Sequence, residues 1–481
     1  MVSGLAARNG GWIGLGALVA IFLLGLGLRV GEAWDGRAPV YDSQAYAAIA
    51  RNLDEGHGFT VGADATQPSS NYSPGLPLFV AAVYEATGGV HERLARVVLA
   101  VIGALSVLFA YAIGRRLGAL QRPEAGEVAG VPASGPPLVS YSSYRTVNSP
   151  IVWPALVGAL AVAVFPALLE YQGMLMGEPL AAVLLSGGVL AALWAWDGGR
   201  VRWLLPGALF GALAMVRPEY LGVAVLLSLV IAVRELKSDW RSSLLRAAFF
   251  LGAALVLIAP WTIRNASALD RFVPISTGGG QVLYAGTYLP SDGNPEKVGA
   301  EVVAENPQLF APQDAHRLRL EQILARLAHA RYPGLESDQA LSKMGKEQLW
   351  DNVSDHTSEY AGFVATKIGR IWFHPARDIM RGIPWIVLQR ALLLFAVVGL
   401  VVLAWHRRWE ALLFATIFLA ITAISALLVA SPRRVLVLVP LLAALTSTAL
   451  AWLTASFGGT SAGDLTKPGS PADALSRPTP G

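Results

Sequence analysis

Apolar runs of roughly 17 to 22 residues recur along the chain, each long enough to cross a hydrocarbon core of about 30 Å. No other feature constrains the fold as much, because only helices and closed barrels satisfy their backbone inside lipid. The runs fall near 12–28, 95–114, 151–169, 179–196, 203–217, 219–234, 245–262, 384–404, 410–430 and 434–453. Composition agrees: of 481 residues, 54% are apolar and only 15% charged, against about 25% charged in soluble domains. The chain therefore reads as an all-α polytopic membrane protein with about ten transmembrane helices. The first run is too long for a signal-peptide core and is expected to stay as a span.

Other classes fall away quickly. The net charge is +4 and its Lys and Arg are scattered, which gives no nucleic-acid surface. With no cysteine, disulfides, thiol catalysis and thiolate metal sites are excluded. Zinc-type His clusters, a Walker loop and a dinucleotide fingerprint are all missing from the sequence.

Charge sets the orientation. Placing Arg8 in the cytoplasm also places Arg115, Arg116, Arg122, Arg200, Arg202, Arg234, Lys237, Arg241, Arg246, Arg407 and Arg408 there, as the positive-inside rule asks. This works only if 74–88, a short apolar piece with two prolines, lies at the outer interface instead of crossing. Both termini are then cytoplasmic. The resulting organisation is a membrane module over 1–262 with a first outer loop at 31–94, an extracytoplasmic insert at 263–383, C-terminal spans at 384–455, and a linker-like tail at 456–481 expected to be disordered.

This topology gathers ionisable groups on the outer face, each with an ordinary reading beside a functional one. Asp42 opens an expected helix running to about Glu55 with Ala45, Ile49 and Leu53 on one face, suited to lying along the bilayer surface. Its ordinary role is a first-turn carboxylate stabilised by the helix dipole. Asp35 is a second carboxylate in the same loop. Glu178 precedes Pro179 at a helix start, a common arrangement, yet Glu178 and Glu170 both lie near membrane depth, where acids are paired or functional. Arg433 and Arg434 break the orientation rule; they either snorkel or form a bidentate phosphate fork. Arg217 and Glu219 read as a local ion pair, Arg264 stands before the Gly278–Gly280 run, and His57 reads as a loop hydrogen-bonder.

Taken together, "YDSQAYAAIARNLDEGHGFT", "YSPGLPLFV", "EYQGMLMGEPL", "RPEYL", "PWTIRN" and "SPRRVLVLVP" resemble the GT-C type membrane glycosyltransferases, which include protein O-mannosyltransferases and the aminoarabinose transferase of lipid A. The resemblance covers roughly the first 290 residues and the final spans. It implies a polyprenyl phosphate-linked sugar donor used on the extracytoplasmic side of the cell membrane, with a glycan, lipid or protein as acceptor. It matches Asp42 to the family's essential carboxylate, Glu178 to a second acid in the next outer turn, and Arg433, Arg434 and Pro440 to the start of a late span. Where the family has an acidic pair this chain has Asp42-Ser43, which leaves a divalent metal as an open possibility.

The reaction so implied has plain demands: a base for the acceptor hydroxyl and cations for the departing phosphate. The expectation is an inverting single displacement with Asp42 as base and Arg433 and Arg434, with Arg264 a further candidate, on the phosphate. Asp35, Glu170 and Glu178 are supporting or metal-binding candidates. A transporter or flippase of lipid-linked sugars would use the same groups without chemistry, but would be favoured by internal repeats, and none is evident. A membrane scaffold accounts for none of the outer ionisable groups.

Overall fold

The computed structural model describes residues 2–37, 42–62, 68–119, 152–234 and 236–458; Arg122 and the tail beyond 458 lie outside the described residues. All named elements are helices. The N-terminal module comprises α1 (Val2–Asp35), α2 (Asp42–Asp54), α3 (Gly75–Thr87), α4 (Glu92–Ala119), α5 (Val152–Ala163), α6 (Pro166–Gln172), α7 (Gly177–Trp196), α8 (Leu204–Val216), α9 (Glu219–Arg234) and α10 (Leu236–Leu269). The segment outside the apolar bundle carries α11 (Gly279–Thr287), α12 (Val298–Glu305), α13 (Asp314–Arg317), α14 (Leu320–Arg331), α15 (Ser337–Ser354) and α16 (Thr357–Phe373). Three long helices close the chain: α17 (Ile383–Trp405), α18 (Glu410–Leu427) and α19 (Arg433–Gly458).

The expected all-α polytopic architecture is present, with a different count of spans. Among the described residues seven helices (α1, α4, α7, α10, α17, α18 and α19) are long and apolar enough to cross a membrane, and the bent pair α5–α6 makes an eighth. Two expected spans, 203–217 and 219–234, are helices of 13 and 16 residues, about 20 and 24 Å long at ~1.5 Å per residue. The break between them falls at Arg217-Pro218, where proline's missing N–H and fixed φ end a helix. The short apolar helix α3 is likewise 13 residues long.

The expected span 151–169 is broken too, and its cause is local. Proline at 166 cannot donate to the carbonyl of Val162, and the chain bends by 46° between α5 and α6. Arg29, a buried side chain of α1, supplies the missing donors: its guanidinium bonds Val162 O at 2.9 Å and Ala163 O at 3.0 Å. The kink sends α6 and its Glu170–Tyr171 pair towards the start of α7.

The bundle is organised around α19, whose spanning stretch is 89% buried, against 17% for α1. Three helices approach it closely through glycine. A Cβ at Gly399 of α17 would lie 2.1 Å from Leu445 O, one at Gly158 of α5 would meet Ser447 Oγ at 2.4 Å, and one at Gly114 of α4 would meet Ser447 Cβ at 2.8 Å. Small residues at such crossings let backbones touch where there is no water to drive association. Outside the bundle, α11, α12, α14 and α15 form a core of their own around Val298, Val302, Leu324, Leu327 and Met344.

Candidate active site

The central helix begins at Arg433, so its first turn stands where α2, α7 and the α8–α9 break converge. Arg433 is the hub. Its Nε donates to Glu178 Oε1 at 2.8 Å, while its two terminal nitrogens reach Asp42 Oδ2 at 3.1 and 3.0 Å. Arg217 donates to the same Glu178 oxygen at 2.6 Å and lies 3.7 Å from Glu219 Oε1. Glu219 in turn sits 3.6 Å from Arg434 Nε. Three carboxylates and three guanidiniums thus form one network closed by residues from four helices and one turn. Exposure is graded through it: the Glu178 side chain is 1% accessible and that of Asp42 33%. Glu178 is the floor, Arg433 the bridge, and Asp42 the rim.

Local structure places each group. Asp42 is the first residue of α2, and its carboxylate is used on Arg433. Glu178 lies in the first turn of α7, where the helix dipole favours a carboxylate. Its Oε2 is buried and has no hydrogen-bond partner among the described residues. Tyr46, one turn after Asp42, packs edge-to-face on Tyr72 with ring centroids 5.8 Å apart. Burial, then the charge of Asp42, raises the Tyr46 hydroxyl above its ordinary pKa; burial, then Glu321 and Asp42, raises Tyr72 to about 12. Both phenols are therefore hydrogen-bond donors at neutral pH and not bases.

Glu170 anchors a second, adjoining network. Arg377 donates to its Oε1 at 2.7 Å and Arg37 at 3.3 Å, and Arg37 also reaches Glu32. The hydrogen bond to Glu170, offset by partial burial, raises the Arg377 pKa. Tyr171 joins the two networks, since the guanidinium carbons of Arg377 and Arg433 each lie 5.8 Å from its ring centroid.

The other sequence candidates stand apart. Asp35 is exposed at the end of α1, and among the described residues it has no ion pair or hydrogen bond. His57 pairs with its neighbour Glu55 at 3.4 Å on the exposed tip of the loop. Arg264 donates to Ser69 O at 2.8 Å and Phe59 O at 3.1 Å and stacks 4.9 Å from the Trp261 ring, so it is engaged in holding the loop after α2. Sequence reasoning passed over Arg37, Arg377 and Tyr171. Tyr171 lies inside a quoted motif beside Glu170, whereas nothing local distinguishes Arg377 from other loop arginines.

A divalent cation would need carboxylates free to converge on it. Among the described residues no three His, Asp or Glu side chains do so, and Arg433 fills the space between Asp42 and Glu178. The donor set therefore does not fit a carboxylate-bound metal. Treatment with a chelator is expected to leave turnover and melting temperature unchanged; a loss of turnover restored by Mg²⁺ or Mn²⁺ would contradict this reading of the site.

No family model and no curated protein matches the sequence. Solved structures do match. The archaeal oligosaccharyltransferase AglB of Archaeoglobus fulgidus, in complex with an inhibitory peptide and a dolichol-phosphate, superposes with a TM-score of 0.51 at 13% identity. The match covers 92% of this chain and 51% of that one. The chain adopts a GT-C type fold. It spans about half the length of the oligosaccharyltransferases it matches; the apo form of the same enzyme gives the same values. ArnT of Cupriavidus metallidurans, bound to undecaprenyl phosphate, matches at 14% identity over 93% of this chain and 79% of its own, with a TM-score of 0.39. At such identities the GT-C likeness concerns the fold, and the chemistry has to be argued from the site.

Proposed function

We propose that this protein is a glycosyltransferase that moves a sugar from a polyprenyl phosphate-linked donor to an extracytoplasmic acceptor. The observation that carries the reading is Arg433, held between Asp42 and Glu178 at the entry to the central helix. Glu178 fixes the guanidinium through Nε, which leaves the two terminal nitrogens on the half-exposed side. A phosphate arriving there would compete with Asp42 for the same pair of donors, a geometry that Arg offers to phosphate bidentately. Beside Arg433 lies a narrow, mostly apolar cleft lined by Phe165, Met380, Leu392, Pro432, Val435 and Leu436, an apolar surface for the first units of a lipid donor. That AglB is seen with a dolichol-phosphate is in keeping with such a donor.

In this mechanism the acceptor oxygen attacks the anomeric carbon as the bond from that carbon to the phosphate oxygen breaks. The proton of the acceptor passes to Asp42, both of whose hydrogen bonds from Arg433 fall on Oδ2, which leaves Oδ1 to receive it. The polyprenyl phosphate departs as an anion on Arg433 and needs no general acid. A single displacement inverts the anomeric configuration.

The test is consumption of a labelled polyprenyl phosphate sugar by purified protein in detergent, since a transporter would leave the donor intact. Arg433→Gln should weaken donor binding by about 1.5–3 kcal/mol, the worth of a charge-assisted hydrogen bond, and far less for an analogue lacking the phosphate charge. Equal losses on both would mean that Arg433 anchors the helix and nothing more. The sidedness of the reading is checked by reporter fusions: those after Thr60 and within 300–350 should report the outer face, and one near Asp239 the cytoplasm. If Thr60 and Asp239 report the same side, the outward placement of the site fails.

A further inference from the structure

Lys367 is a fully buried basic side chain that this chemistry leaves unused. It lies on α16, outside the bundle, yet is only 1% exposed. Its ammonium donates to Gly286 O at 2.6 Å and to Ala426 O, and sits 5.1 Å from the ring of Phe363 one turn earlier on α16. Both acceptors belong to the last turns of their helices, α11 and α18, where carbonyls lack intrahelical donors and a cation is favoured. One side chain therefore joins three elements: α16, the end of α11 and the end of α18.

The turn after α18 makes the position significant. Residues 428–432 form this turn and deliver Arg433. It is gripped from its far side by Arg434, which donates to Val429 O and, at 3.4 Å, to Ser425 Oγ. From the near side α11 presses directly on it, because a Cβ at Gly286 would lie 2.5 Å from the carbonyl carbon of Leu428. Only a glycine lets the two backbones meet there. The chain then closes over the lysine stem at Gly293, whose φ of +68° suits glycine and whose added Cβ would fall 2.8 Å from Lys367 Cγ. Burial, with the positive charge of Arg434 adding to it, lowers the Lys367 pKa to about 7; the two carbonyl acceptors offer the ammonium hydrogen bonds it would otherwise take from water.

We propose that Lys367 is a positioning residue: by tying the insert helices α11 and α16 to the end of α18, it holds the 428–432 turn in the conformation that presents Arg433 to Glu178 and Asp42. It acts through Arg433 and touches no substrate. Its link to catalysis rests on the donor-phosphate role proposed for Arg433, whereas its grip on the turn does not.

Two measurements separate those layers. In hydrogen exchange on the full-length protein in detergent, Lys367→Met should speed exchange in peptides covering 426–434 while leaving α4 and α7 unchanged; Lys367→Arg, which keeps a cationic donor, should restore most of the protection. In binding assays with sugar-free polyprenyl phosphate, Lys367→Met should weaken affinity about tenfold, the order expected for a lost charge-assisted hydrogen bond. In an Arg433→Gln background the same change should add little, because a residue acting through Arg433 has nothing left to position. Should Lys367→Met fail to fold, Lys367→Gln keeps a neutral donor and should show the same effects, smaller. Unchanged exchange at 426–434 would overturn the proposal outright. An equal tenfold loss with and without Arg433 would also overturn it, by showing general destabilisation. Faster exchange in 426–434 with no phosphate binding by the wild-type protein would instead uphold the grip on the turn and sink the donor reading.

Discussion

Asp42→Asn should lower the turnover of donor by roughly 10²- to 10⁴-fold, the usual contribution of general base catalysis, and should leave donor affinity equal to or above that of the wild type. The sign of the second part comes from the geometry. Both terminal nitrogens of Arg433 are engaged by one Asp42 oxygen, so the carboxylate competes with phosphate for them. An amide is a weaker competitor. Stability should change little, because Asn serves almost as well as Asp at a helix start and the Asp42–Arg433 pair is one-third exposed on both sides, where ion pairs contribute modestly. A residue that merely opened α2 would leave turnover intact, and one that merely held Arg433 in place would weaken donor binding. The measurement is turnover and donor affinity for Asp42→Asn beside Asp35→Asn in one preparation. Asp35 makes no contact with the network, so its variant should behave as wild type. If Asp35→Asn alone loses activity, the base is misassigned by one site; if neither does, the loop carboxylates are not catalytic.

How far the sequence led can be judged residue by residue. Helix α2 was legible because Asp42, Ala45, Ile49 and Leu53 carry a helical period and a first-turn acid, and it runs from Asp42 to Asp54. The membrane class was legible because hydropathy needs no tertiary information. The grouping of Asp42, Glu178, Arg217, Glu219, Arg433 and Arg434 could be suspected from the outer face that the charge pattern assigns them, but their distances could not. Asp42 and Arg433 are 391 residues apart in sequence, and no local pattern encodes a contact of that range. Arg217 and Glu219 show the limit clearly. The ion pair that sequence reading expected between them is present at 3.7 Å, but the shorter bond of Arg217, at 2.6 Å, goes to Glu178, which no local spacing indicates. Hydropathy placed the division at Pro218, between 203–217 and 219–234, where α8 and α9 separate, but it read 151–169 as one straight run, whereas Pro166 bends it by 46° between α5 and α6. Arg29 illustrates the complement. It looks like an anomaly in an apolar run until the carbonyls freed by Pro166 give it partners.

The largest effect on stability is expected at the floor of the site. Glu178→Gln preserves size and one acceptor oxygen but removes the charge that faces Arg217 and Arg433 together at 2.6 and 2.8 Å. Breaking a buried ion pair from one side costs about 3–5 kcal/mol because the partner stays charged and uncompensated. The two arginines keep part of their surface in solvent, at 18% and 32%, so the lower end, about 3 kcal/mol, is the better expectation. Relief by moving the arginines is limited: among the described residues Arg217 keeps the longer contact to Glu219, and Arg433 keeps Asp42 and the Tyr171 ring. The variant should melt well below the wild type in detergent, and donor turnover should fall with it as Arg433 loses the Nε bond that orients its fork. Glu219→Gln is the control, since its contacts of 3.7 and 3.6 Å are too long for hydrogen bonds and its removal should shift melting far less. A chelated-metal role for Glu178 would predict the reverse pattern, with Glu178→Gln melting like wild type once metal is stripped from both. If the two Glu variants melt alike, Glu178 is not the anchor of the network, and the orientation of Arg433 must come from the turn before it.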